Sequence, residues 1–224
     1  MAGQRKYHDA CAVAHALDIL GERWALLVVR ELLLGPKRFS DLRAGLPSVS
    51  TDMLTTRLRE LESHGVVRRH KLPAPASSWV YELTTWGSQL EPIVVSLAQW
   101  SSQSAGLADR ANEPLSVDSA ALALHTLFKP DADPRVAATV ELRLNGQPFR
   151  VNVTHGALSV ERGEAPDAEI SITTDPAALT ALLTGTSSLN AERKGGRTNL
   201  HGDPAAAQRF LDLFGTPTHD TATP

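Results

Sequence analysis

With one cysteine in 224 residues, an internal disulfide framework is excluded, as suits a reducing compartment. No apolar run approaches the roughly 18 residues that a membrane-spanning helix requires. The opening MAGQRKYHDA also has no apolar core of the signal-peptide kind. These absences lead to the expectation of a cytoplasmic protein with no membrane partner. The G-x-S-x-G elbow, the P-loop, H-E-x-x-H and the dinucleotide glycine fingerprint are all missing. No catalytic residue is assigned, no cofactor is expected, and the chain is expected not to be an enzyme.

What remains is ordinary globular material, 42% hydrophobic and 21% charged. Its net charge of −3 hides an uneven distribution. Residues 1–104 carry 12 basic and 10 acidic side chains, and residues 105–224 carry 10 and 15. The first half is the one suited to meeting phosphate.

In that half the chain is organised around Arg38–Leu83. Upstream, Ala12, Val13, Ala16, Leu17 and Leu20 recur at helical spacing, and a second apolar helix is expected over Trp24–Leu34, stopped by Gly35-Pro36. A short helix over Phe39–Ala44 and a turn at Gly45-Leu46-Pro47 follow. Ser50 then caps a helix running to Ser63, with Leu54, Leu58 and Leu61 inward and Asp52, Thr55, Thr56 and Arg59 outward. Two strands, Val66–Leu72 and Trp79–Leu83, flank a Pro-rich tip; the first carries Arg68, Arg69, His70 and Lys71. Helix, turn, helix and basic hairpin in this order outline a winged helix-turn-helix that places hydroxyls and cations against base edges and phosphates. An amphipathic helix with a solvated face, or an edge strand guarded by charge, would share the separate features. A helix over Thr85–Gln103, with Pro92 inside it, has a wide apolar stripe suited to a symmetry mate.

Residues 105–116 read as a linker. Beyond them a helix over Val117–Phe128 precedes alternating strands. Asn145-Gly146 suits a tight hairpin turn between VAATVELRL and FRVNVT, followed by ALSVER and AEISITT. Asp175-Pro176 and Asp203-Pro204 read as caps opening helices over Ala177–Leu183 and Ala205–Phe214, with a short strand at Thr198–His201. The expected fold class is α+β. The domains are 1–104, mostly helical with a β-hairpin, and 117–215, with a mainly antiparallel sheet; 216–224 is expected to be a disordered tail.

The N-terminal hundred residues resemble the HxlR family of bacterial winged-helix transcription regulators. The resemblance rests on Cys11-Ala-Val, Leu17-x-x-Leu20-Gly21-x-x-Trp24, Arg30-Glu31-Leu32, Gly35, Arg38-Phe39-Ser40-Asp41-Leu42, Ser50-x-x-Met53-Leu54-x-x-Arg57-Leu58-x-Glu60-Leu61-Glu62 and Val80-Tyr81-x-Leu83-Thr84-x-x-Gly87. Ala12 and Thr51 depart from it, standing where the family commonly has proline. The resemblance implies a homodimer on a pseudo-palindromic double-stranded operator, with Ser50–Ser63 as recognition helix and residues 66–83 as wing. The family leans towards repression.

Residues 117–215 resemble the sterol-carrier-protein-like fold through Asn145-Gly146, Gly156-Ala157-Leu158, Pro166–Ile170, Thr174-Asp175-Pro176 with Leu179 and Leu182, Gly185 and Gly196-x-x-x-Leu200-x-Gly202-Asp203. That resemblance implies an apolar small-molecule ligand, without naming its pocket; a domain that only dimerises or docks is the alternative.

The DNA-contact residues expected are Arg38, Ser40, Ser50, Thr51, Thr55, Thr56, Arg57 and Arg59, with Arg68, Arg69 and Lys71 in the wing; Arg57 lies near the buried stripe. Cys11 stands where some family members carry a sensing thiol, with Lys6, His8 and His15 as sources of positive charge. A helix residue of no special reactivity is its plainer reading. His8, Cys11 and His15 share a helical face, but three ligands from one helix make a poor site and no metal is expected. Glu192–Arg197 is basic and Gly-rich without P-loop spacing, and is expected to be a solvated loop. Glu161, Glu164, Asp167 and Glu169 read as charged surface.

The function expected is a ligand-responsive DNA-binding regulator. A thiol switch through Cys11, or a lipid-binding protein whose winged helix serves protein contacts, are the alternatives.

Overall fold

The computed structural model describes residues 6–110, 113–133 and 135–216. The expected tail from residue 217 onward lies outside them. The chain divides into two compact units, Met1–Val94 and Val95–Pro224.

The first unit begins with α1, Ala12–Leu20, and α2, Ala25–Leu32. Next come α3, Phe39–Gly45, and α4, Thr51–Ser63, joined by a turn whose Leu46 and Val49 are buried. The Ser50 hydroxyl accepts the Met53 N–H at 3.2 Å, supplying a partner that the first turn of α4 cannot provide itself. Leu54, Leu58 and Leu61 enter one core with Val28, Val29, Leu32 and Leu42, each inward leucine contributing about 2 kcal/mol of burial. At the end of α4, Gly65 turns the chain at φ +72 into the hairpin β1, Val67–Lys71, and β2, Trp79–Leu83. Lys37 pairs with Tyr81 through both backbone hydrogen bonds, at 2.9 and 2.7 Å, and ties the hairpin to the approach to α3.

The single helix expected over Thr85–Gln103 is two helices, α5, Thr85–Ser88, and α6, Glu91–Ser102. Gly87 lies so close to the Val66 carbonyl that a Cβ there has no room, and tight turns at Gln89 and Leu90 close α5. Pro92 falls in the first turn of α6, where its missing N–H is not needed, so it starts a helix instead of kinking one. Among α6's residues none is buried. The expected linker contains a 3₁₀ turn over Ala105–Arg110.

The second unit contains α7, Val117–Leu127, then β3, Ala138–Leu144; β4, Gln147–Thr154; β5, Ala157–Arg162; and β6, Ile170–Thr174. Helices α8, Pro176–Thr184, and α9, Leu189–Lys194, strand β7, Asn199–His201, and α10, Pro204–Leu211, complete it. The sheet order is β5-β4-β3-β6-β7, antiparallel except for β3 beside β6. Alternation splits its faces. Val140, Leu142, Leu144, Phe149, Val151, Val153, Ile170 and Ile172 are buried with Leu124 and Leu179, while Glu141, Arg143, Arg150, Asn152 and Ser171 occupy the other face, half-exposed.

The Glu192–Arg197 run is not a solvated loop. Ser188 caps α9, and Glu192, 2% exposed, accepts the Arg197 guanidinium at 2.7 Å. A six-residue helix leaves too little periodicity to show in the sequence.

Candidate nucleic-acid interface

The outward face of α4 carries Thr51, Asp52, Thr56 and Arg59 exposed and Thr55 half-buried. Its hydroxyls are partly engaged. Thr55 Oγ1 donates to the Thr51 carbonyl at 2.8 Å, and Thr51 Oγ1 accepts from Arg43 of α3. Each oxygen keeps acceptor capacity. Ser50 is spent as the cap. Ser40 donates to Asp41, whose other oxygen accepts the Arg38 N–H at 3.1 Å. The exposed Arg38 donates through Nε to Ser78 Oγ at 3.1 Å, bracing α3 against the wing.

Arg57 is not on this face. Residues 54, 57, 58 and 61 form one stripe, and the Arg57 side chain, 6% exposed, pairs with Glu60 and with Glu22 at 3.7 Å. It locks α4 to the turn after α1.

The wing separates its cations by strand alternation. Arg68 and His70 share a face with Glu82, which binds Arg68 at 2.7 Å and lies 3.6 Å from His70. Arg69 and Lys71 occupy the opposite face, across from Tyr81 and Trp79. The Arg69 guanidinium carbon lies 4.8 Å from the Trp79 ring centre and 5.8 Å from that of Tyr81. Thr55, Arg59 and Arg69 meet in one cleft of about 360 Å³, completed by Phe39, Glu62, Trp79 and Tyr81. The sequence reading missed these four lining residues and Arg43. Cross-strand register would have found Trp79 and Tyr81, since partners on a hairpin share a face.

A buried ion cluster includes Lys37, the backbone partner of Tyr81. Glu31 is 0% exposed and accepts Lys37 Nζ at 2.6 Å and Arg30 at 2.9 Å. Gly45 is the glycine here because a Cβ would strike the Glu31 carboxylate. The cluster fixes α2, the end of α3 and the strand beside Tyr81.

Cys11 is exposed at the cap position of α1. The backbone N–H groups of Ala14 and then Val13 hold its thiol below the usual range. Helix geometry, and not Lys6, His8 or His15, supplies the effect.

Residues 19–108 match the model of HxlR-like helix-turn-helix proteins. The helix-turn-helix-type transcriptional regulator YvaP of Bacillus subtilis is 42% identical over 88 residues, 39% of this chain and 82% of YvaP. The chain belongs to the HxlR family. A second relative of this HxlR-family regulator, sll1512 of Synechocystis sp., also an HTH-type transcriptional regulator, is 38% identical over 87 residues; the match spans 39% of this chain and 64% of the relative's length. Among solved structures, the reduced form of the transcriptional regulator YodB from B. subtilis is 34% identical and covers 43% of this chain and 96% of its own, with a TM-score of 0.39. Residues 120–220 match a different model, the alkyl sulfatase C-terminal family.

Proposed function

We propose that this HxlR-family regulator binds double-stranded operator DNA as a homodimer and represses transcription. Helix α4 enters the major groove through Thr51, Thr55, Thr56 and Arg59. The wing places Arg69 and Lys71 on the flanking backbone. Arg38 and Ser40 lie at the start of α3 beside it. Arg57 has a structural role, and Arg68, held by Glu82, contributes less than Arg69. One observation carries the reading: Thr55 and Arg59 of α4 share a cleft with Arg69 of the wing, and among the described residues no carboxylate pairs with Arg59, Arg69 or Lys71.

The dimer reading is supported by exposed apolar side chains at helical spacing, Val13 and Leu17 on α1 and Ile93, Leu97 and Trp100 on α6. The test is selection of a duplex from a random pool, followed by native mass spectrometry of the complex. Two copies per duplex, lost at high salt, is the expected result. No retained duplex at low salt would leave the winged helix a protein-contact module.

The second unit is proposed as the effector module, a sterol-carrier-type fold taking an apolar molecule. Its sheet, with one face of buried apolar side chains and the other polar, supports this. A ligand acts only through different affinities for two dimer states. Native spectra of fresh protein are expected to show a mass that leaves on denaturation; a clean spectrum would count against it.

Cys11 supports a second reading, a thiol switch. With one cysteine per chain, a Cys11–Cys11 bridge between subunits or a small-molecule adduct are the available forms. Mild oxidation should then abolish duplex binding in wild type and leave Cys11→Ser unaffected. Equal loss in both would dismiss the thiol.

A further inference from the structure

Trp79 is a large apolar residue with no role in the core. It is 53% exposed, whereas Tyr81, two residues on, packs against the hydrophobic cluster of the first unit. Its neighbours explain it better than burial does. Lys71 lies directly across the hairpin from Trp79, and Arg69 is its diagonal neighbour on the same face. The Arg69 guanidinium sits over the indole, with the Tyr81 ring second. One exposed indole therefore shares its hairpin face with two cations, with no carboxylate pairing to either among the described residues. On the other face of the hairpin, Arg68 is handled in the opposite way, by a carboxylate.

The two treatments have different consequences for a phosphate. A carboxylate occupies the N–H edge of a guanidinium and cancels its charge. A ring occupies the flat face, leaves the donors of the edge available and keeps the charge. Stacking also removes rotamer freedom before a phosphate arrives, so less is lost on contact. The frame carrying the rings is braced on both sides. Tyr81 is held by both backbone hydrogen bonds to Lys37, Leu72 N–H donates to the Ser78 carbonyl at 2.9 Å, and the Ser78 hydroxyl accepts from Arg38. Arg59 of α4 and Arg69 line the same cleft.

We propose that Trp79, seconded by Tyr81, is the positioning residue of the wing: it racks the Arg69 guanidinium so that its N–H edge meets a backbone phosphate beside the groove that α4 occupies. This rests on the DNA-binding reading above. Arg69 makes the contact; Trp79 acts through it.

The experiment is an anisotropy titration of full-length protein on a duplex selected by the wild type from a random pool, repeated across salt concentrations. Trp79→Ala should weaken binding about two- to fivefold per wing. It should also flatten the salt slope towards that of Arg69→Ala, itself about one unit lower per half-site. Trp79→Phe should restore most of the loss, and Trp79→Ala added to Arg69→Ala should weaken binding no further. Thermal melting of each variant separates a folding defect, which neither the slope nor the phenylalanine rescue would follow. Wild-type behaviour of Trp79→Ala, or independent losses that multiply in the double variant, would overturn the rack while leaving DNA binding intact. Failure of the wild type to select any duplex would overturn both, and is seen before a variant is made.

Discussion

The two units differ in the cations they leave without a carboxylate: among the described residues the first pairs Arg30, Arg57 and Arg68 but not the cations of α4's outer face and of one face of the wing. In the second unit arginines find carboxylates at home: Arg135 with Asp133, Arg143 with Glu141, Arg150 with Asp167, Arg162 with Asp118 and Arg197 with Glu192. In the first, Arg59, Arg69 and Lys71 have no carboxylate partner among the described residues. Among the described residues the exposed large hydrophobics run from Tyr7 to Leu115, across the boundary between the units, and none lies in α7 or beyond. A self-satisfied surface suits a module that encloses something or rests on its own core. A surface with spare cations on one element and bare leucines and tryptophans on others suits one completed by partners.

The largest test of this contrast is to break each unit alone. Gly87→Ala drives a methyl into the Val66 carbonyl, and Gly202→Ala meets the Glu169 carbonyl at a φ of +107. Gly87→Ala should unfold the first unit and abolish duplex binding while the second keeps its melting transition. Gly202→Ala should do the reverse. Calorimetry reads both, and one shared transition lost in either variant would mean that the units do not fold separately.

Next in size is Glu31→Ala. It removes the carboxylate that Lys37 and Arg30 share in the core and should destabilise the first unit by about 3–5 kcal/mol in denaturant titration. An effect below about 1 kcal/mol, typical of exposed pairs, would show that water reaches the cluster.

These two predictions mark what a sequence carries and what it does not. The α4 helix was legible to its cap because Ser50, the leucine spacing and Gly65 are local signals. So were the wing strands, β3 to β5 and the Asp-Pro starts of α8 and α10. Glu31 was not: inside WALLVVRELLL a carboxylate gives no sign of facing the core, since its partner Lys37 arrives through tertiary packing. Arg57 was ambiguous for the same reason, lying on the leucine stripe yet reaching Glu22 only in the fold. The pairing of Arg69 with Trp79 depends on the register across a Pro-rich tip, and the break between α5 and α6 on a close approach of Gly87 to another strand.

An intermediate effect is expected at α6. Leu97→Asp places a charge on its apolar stripe and should shift the protein towards monomer in sedimentation, weakening duplex binding without lowering the melting temperature of either unit. An unchanged dimer would move the interface to α1.

The smallest effect is acid sensitivity of the second unit. The Arg143 guanidinium holds the Glu141 carboxyl below its ordinary value, and Arg150 does so for Asp167. Carboxylates depressed in the folded state stabilise it fully above their ordinary values. That contribution declines once pH falls below those values and is gone below the depressed ones. The melting temperature of this unit should therefore hold from neutral pH to the ordinary carboxylate range and drop below it, with a shallower drop in Glu141→Gln. An equal drop in both would assign the acid loss elsewhere.

The most direct test of the central claim, that α4 and the wing meet DNA together, is the salt dependence of Arg59→Ala on a duplex selected by the wild type. A contact to phosphate predicts weaker binding and a slope lower by about one per half-site, with equal weakening on unselected duplexes. An unchanged slope and unchanged affinity would contradict the account, because the cation that α4 contributes to the shared cleft would then contact nothing.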